Sequence, residues 1–103
     1  MNNILVKTTF KNNLILLKPF INFYNDIWKP EKYIIYIGYS QNNKEEIINN
    51  INKILNSKIS YNKRLREYSN HIKNTELYSY SKYDFVLYET SVNTPAKVWD
   101  GIL

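Results

Sequence analysis

The 103-residue chain has no cysteine, which excludes a disulfide framework and any metal held by thiolates. Its only glycines are Gly38 and Gly101. Neither the P-loop nor the GxGxxG turn can be written with them, because both need several glycines within one short loop. A single histidine, His71, excludes a multi-histidine metal site. Standing among lysines and arginines, it reads as a solvated side chain. There is no G-x-S-x-G nucleophile elbow. The longest apolar run, "NLILLKPFI", is broken by Lys18 and Pro19 and is too short to span a bilayer. The amino-terminal "MNNILVKTTF" lacks the apolar stretch and cleavage site of a secretory signal. A cytoplasmic protein with no transmembrane segment, or one held on a membrane by something else, is expected.

What is present suffices for one packed domain spanning residues 1–103. The chain is 44% apolar and 16% aromatic, with ten tyrosines, a composition that can close a core without staples. Tyrosine buries a ring while keeping its hydroxyl on water or a partner. Lysine and arginine number 14 against 9 acidic residues, a net charge of +5. That balance suits nucleotides, nucleic acid or an acidic surface. The excess is mostly lysine scattered among many asparagines, which is also what an A+T-rich coding sequence produces without any such partner.

Short apolar runs alternate with longer amphipathic ones. "NILVKTTF" reads as a buried strand from Ile4 to Val6 that ends in Thr8 and Thr9. Leu17, Phe20, Ile21, Tyr24, Ile27 and Trp28 recur at helical spacing, with Pro19 in a first turn or at a kink and Pro30 marking the stop. "KYIIYIGYS" is a second strand. "NNKEEIINNINKILN" is the clearest helix: Asn43 is a cap, Glu46 stands in capping-box position, and Ile47, Ile48, Ile51, Ile54 and Leu55 form the stripe. "KISYN" suggests a third strand and "KRLREYSNHIKN" a third helix with Leu65, Tyr68 and Ile72 inward. "YDFVLYETS", Tyr83 to Ser91, is the fourth strand. The order β-α-β-α-β-α-β predicts a three-layer, Rossmann-like α/β domain with a largely parallel sheet of about four strands and helices on its faces. In such sheets ligands bind beyond the carboxyl ends of the strands. Those ends here are Thr8 and Thr9, then Gly38, Tyr39 and Ser40, then Glu89, Thr90 and Ser91. The plain alternative for Glu89 is a polar residue closing a strand; for the threonines it is ordinary β-branched strand preference.

Taken in order, "NILVKTTF", "FINFY", "IWKPEKYIIYIGYS", "YSNHIKN" and "YDFVLYETS" resemble the amino-terminal half of a GT-A type glycosyltransferase of the family 2 sort. The resemblance implies that Glu89 and Ser91 occupy the two acidic positions of the metal-binding Asp-x-Asp motif. It implies that Thr8, Thr9, Tyr39 and Ser40 border a nucleotide-sugar donor, with Tyr39 stacking on the base, and that Mn²⁺ or Mg²⁺ neutralises its diphosphate. Hard cations of this kind need only one or two carboxylates when phosphates supply further oxygens. Because the acceptor half of such enzymes follows this motif, the resemblance implies a binding half, incomplete for catalysis, that is truncated or completed by a protein partner.

Two further readings stand beside it. "NFY" (Asn22 to Tyr24) and "YIG" (Tyr36 to Gly38) resemble the paired motifs of GIY-YIG nucleases, which implies Tyr24, Tyr36, Arg64 or Arg66, and Glu89 in a degenerate phosphodiesterase site. That reading requires Tyr24 on a strand. The other is a small basic, tyrosine-rich module without enzymatic activity that binds nucleic acid or a protein partner through stacking and charge.

Overall fold

The computed structural model describes residues 5–11, 14–40, 43–67 and 69–90. In chain order the elements are β1 (Leu5–Lys11), α1 (Leu17–Ile27), β2 (Lys32–Tyr39), α2 (Lys44–Leu55), β3 (Ser60–Arg64), β4 (Ile72–Tyr80) and β5 (Tyr83–Thr90). The five strands form one sheet in the order β1-β2-β5-β4-β3. β1 runs parallel to β2, and β2 parallel to β5. β4 is antiparallel to both β5 and β3.

This mixed sheet corrects the expectation of a largely parallel, Rossmann-like one. The main departure lies at residues 63–74, where a third helix was expected. Arg64 instead ends β3, and Ile72 opens β4 with its side chain fully buried on the sheet. A register shift between Lys73 and Glu76 places the buried residues of β4 at Ile72, Thr75 and Tyr78. That spacing of three imitates helical periodicity and hides the strand. The β4–β5 turn has only Ser81 and Lys82 at its centre, with Ser81 at φ 52°. It carries none of the Asn-Gly or Gly signals that usually announce a hairpin.

The expected three layers are also corrected to two. Leu17 and Ile21 of α1 join Ile47 and Ile51 of α2 in a single core cluster with Val6, Tyr33, Ile35, Ile37, Phe85 and Leu87. These strand residues alternate along β1, β2 and β5, so both helices cover the same face of the sheet. The opposite face carries a smaller cluster of Ile72 and Tyr88 with Tyr36 packed on it.

The helices follow from local chemistry. Pro19 occupies the third position of α1, inside the first turn, where its missing N–H removes no helical bond. α2 begins at Lys44 with Asn43 as its N-cap residue, although the Asn43 side chain makes no capping hydrogen bond. Asn56 closes α2 in the left-handed conformation, φ 51°, a role its short polar side chain tolerates. Among the described residues no helix is long and apolar enough to cross a membrane.

Candidate functional site

β1, β2 and β5 all point the same way, so their carboxyl ends, residues 11, 39 and 90, share one edge of the sheet. β4 runs oppositely and begins at that edge. A cavity of about 360 Å³ opens there, lined by Tyr39, Lys44, Asn74, Glu76 and Glu89. Each arrives by a different route. Tyr39 is the last residue of β2, and Glu89 stands beside it in the register of β5. Lys44 opens α2. Asn74 and Glu76 belong to β4, where the ladder is interrupted. Asn74 has φ 48°. A left-handed residue at an interruption of the ladder is how a β-bulge re-aims a side chain, and such bulges cluster beside functional sites.

The polar groups are laced together. Lys44 Nζ donates to Glu76 Oε1 at 3.0 Å, and the Tyr78 hydroxyl donates to the same oxygen at 3.2 Å. The Asn74 amide donates to Glu89 Oε1. Tyr39 is only 3% exposed, with its ring in the core. Burial, and then the nearby Glu89 and Glu76 carboxylates, push its hydroxyl up to about 12. Burial and the same Glu76 raise Tyr78 as well. The set offers two carboxylates, a neutral phenol, an amide and one ammonium. Oxygen donors of this kind suit Mg²⁺ or Mn²⁺ shared with ligand phosphates. Among the described residues there is no cluster of three or more His, Cys, Asp or Glu that could hold a metal alone.

The expected site residues fare differently. Tyr39 and Glu89 meet, although 50 positions separate them in sequence. Ser40 follows directly on Tyr39 at the end of β2. Thr8 does not reach the edge: it pairs with Ile35, four residues short of Tyr39. At strand rise that is roughly 13 Å back along the sheet. Thr9 pairs with Tyr36 and is likewise within β1 rather than at its end. Ser91 lies outside the described residues. The buried ring of Tyr39 leaves no open face for a stacked base. Tyr24 lies within α1, which removes the nuclease reading, since that reading needs a strand there. Lys44, Asn74 and Glu76 were not singled out from the sequence. Lys44 reads as one helix lysine among many, and the other two fell inside the expected helix or just beyond it. The positive φ at Asn74 was foreshadowed only by the general tolerance of asparagine for that conformation.

Set beside protein-family models, curated proteins and solved structures, the chain matches none of them.

Proposed function

We propose that this domain binds a nucleoside diphosphate, of the kind that carries an activated sugar, as its Mg²⁺ or Mn²⁺ complex in the cavity at the carboxyl edge. The reading is supported by one observation above the others: Glu76 and Glu89, held on neighbouring strands, line the same cavity as Lys44. Carboxylates alone would repel a diphosphate. Two carboxylates with a cation between them and the phosphates, and an ammonium on the rim, supply both signs the complex requires. In this role Glu89 and Glu76 hold the cation, Lys44 exchanges its bond to Glu76 for one to a phosphate oxygen, and Asn74 orients Glu89. Base recognition falls to residues other than Tyr39.

The test is thermal denaturation with UDP or GDP, each with Mn²⁺, with Mg²⁺ and with EDTA. A ligand at ten times its Kd stabilises by about 1.4 kcal/mol, a shift of several degrees for a domain of this size. The shift should need the metal and should vanish in Glu89→Ala. No shift with any nucleotide at millimolar concentration removes the reading.

A second reading rests on a different part of the surface. Every residue of β3 is exposed, and the strand carries Tyr61, Lys63 and Arg64 beside Lys58 and Arg66. This basic edge with an outward ring suits single-stranded nucleic acid. Binding that weakens steeply between low and physiological salt would support it; retention unaffected by Lys63→Glu with Arg66→Glu would reject it.

A further inference from the structure

The outer side of α1 carries a second apolar stripe that the core uses only through Phe20. Leu16, Phe20, Phe23 and Ile27 recur at intervals of four, three and four, one face of a helix. The neighbouring face, with Leu17 and Ile21, is the buried one. Leu16, Phe23 and Ile27 are 60%, 55% and 57% exposed. The stripe's position in the fold is set by its flanks. On one flank Lys18, Asn22 and Asn25 border crevices shared with α2 and the β4–β5 hairpin. On the other, Phe20 meets Phe10 of β1 edge-on, with ring centres 5.8 Å apart. The stripe therefore lies above β1, which ends the sheet and pairs, among the described residues, with β2 alone.

The two edges of the sheet are unlike. β3 has the features that discourage further pairing: it is short, its residues are all exposed, it carries Lys63 and Arg64, and its ladder shifts between Tyr61 and Lys63. β1 also carries two lysines, Lys7 and Lys11, but it is a regular strand of seven residues with no proline and an unbroken ladder to β2. Such an edge invites another strand.

We propose that this chain forms a two-fold homodimer in which β1 pairs antiparallel with β1 of a second copy about Thr8. The two sheets join into one of ten strands, and the α1 stripes pack on each other above the joint. The register singles out a second copy as the occupant. Antiparallel pairing about Thr8 sets Val6 opposite Phe10, Leu5 opposite Lys11 and Lys7 opposite Thr9. No lysine stands directly opposite a lysine, and Lys7 falls diagonal to Lys7 and Lys11 of the second copy on the face away from the helices, where their stems can diverge into water. Val6, Thr8 and Phe10 fall on the face that the helices cover, giving an apolar row beneath both stripes. Along the helices the same two-fold sets Leu16 near Ile27 and Phe20 near Phe23. The patch is thus self-complementary, as an isologous interface requires. An acidic membrane surface would also cover the stripe, but it would leave the β1 N–H and C=O groups without partners in an apolar setting. None of the residues lining the cavity around Lys44, Glu76 and Glu89 belongs to β1 or α1, so the proposal stands independently of the ligand assigned there.

Sedimentation velocity from micromolar to millimolar concentration tests it. The expected mass is twice the 12.4 kDa of the chain, falling to a single chain in Phe23→Glu with Ile27→Glu, whose circular dichroism should match the parent because both positions are exposed. Thr8→Cys supplies a second readout. Residues directly opposite across an antiparallel pair have Cβ atoms about 4.5–5.5 Å apart. With no other cysteine in the chain, mild oxidation should give a covalent dimer, and it should not do so in Ser60→Cys on the far edge. A single-chain mass at every concentration overturns the proposal, whether or not the protein co-sediments with anionic vesicles. So does a dimer that survives the double substitution, or equal cross-linking from Ser60→Cys.

Discussion

Replacing Asn25 with alanine should destabilise this domain well beyond what an ordinary surface asparagine would cost. The Asn25 Oδ1 atom accepts from the Tyr33 hydroxyl at 2.8 Å and from Lys82 Nζ at 2.9 Å. It thereby ties α1 to β2 and to the β4–β5 turn. Tyr33 is wholly buried, and the other acceptor near its hydroxyl is the Ile21 carbonyl at 3.3 Å. Without Asn25 the hydroxyl keeps only that longer contact, and leaving a buried donor poorly satisfied costs about 1–3 kcal/mol. Lys82 also lies over the Tyr33 and Tyr83 rings, 5.6 and 5.9 Å from their centres, and its flexible stem lets the ammonium turn to water at little cost. The orphaned phenol should therefore dominate. Tyr33→Phe removes the donor together with the need for an acceptor and should cost about 0.5–1.5 kcal/mol. In the double variant the penalty of Asn25→Ala should shrink by about 1 kcal/mol. Urea denaturation read by circular dichroism measures all three, with an unchanged slope showing that the unfolded reference is the same. At about 4–8 °C per kcal/mol, the single variant should also melt visibly lower. Independent, additive penalties within about 0.5 kcal/mol, or an Asn25→Ala protein as stable as the parent, would refute the argument.

Other outcomes follow from the same geometry. Tyr33 and Tyr39 are both pushed up to about 12 from an ordinary value of 10.0, chiefly by burial. A raised phenol contributes stability that is complete below pH 10 and lost as the pH climbs toward 12, so melting temperatures should hold to pH 10 and then fall, less steeply in Tyr39→Phe. Asn74→Gly should keep the fold, because glycine accepts a positive φ, whereas Asn74→Ala should cost about 1 kcal/mol; both should weaken any metal-dependent nucleotide shift, which separates backbone from side chain. Ser81→Gly should stabilise the β4–β5 hairpin by about 0.5–1 kcal/mol in urea titrations, since its φ of 52° suits glycine at the first position of the turn. Ile51→Ala, at a fully buried position of α2, should cost about 2–5 kcal/mol, and a loss under 1 kcal/mol would mean that the α2 contact with the sheet is wrongly placed.

The parts of the fold legible in the sequence were those in which local chemistry and packing agree. β2, β5, α1 and α2 have strong apolar periodicity bounded by Pro30, Gly38 or Asn43, and they form where those signals fall. In α1 the six apolar residues at helical spacing read as one inward face, yet only Leu17 and Ile21 are fully buried there, while Ile27 and Trp28 stand exposed. The period identifies a helix but does not say how wide an arc the core will take. Residues 63–74 read as a helix and 75–80 gave no element, because the interruption at Asn74 shifts the burial phase within β4, and because Ser81 takes a glycine-like φ without being glycine. Neither feature leaves a mark in hydropathy. For the site, Tyr39 and Glu89 were legible because both close apolar runs, and parallel neighbours bring such ends together. Thr8 and Thr9 were not at an end, since β1 runs on to Lys11, through Phe10 and a lysine that gave no sign of continuation.

The mixed sheet does not dissolve the edge on which the site depends; it changes what builds it. The rule that ligands sit beyond strand carboxyl ends needs only neighbouring parallel strands, and β2 with β5 supplies them. The antiparallel β4 then brings its own beginning to the same edge, so Glu76 and Glu89 are fixed by one hairpin ladder rather than by separate loops. Along that ladder Glu76 is opposite Leu87 and Lys73 opposite Glu89, which leaves both glutamates on the helix side. A slip of one residue would turn one glutamate to the opposite face and take Glu76 away from Lys44 and Tyr78. The interruption at Asn74 and the two-residue turn at Ser81 are thus the devices that hold two carboxylates and one ammonium around a single cavity.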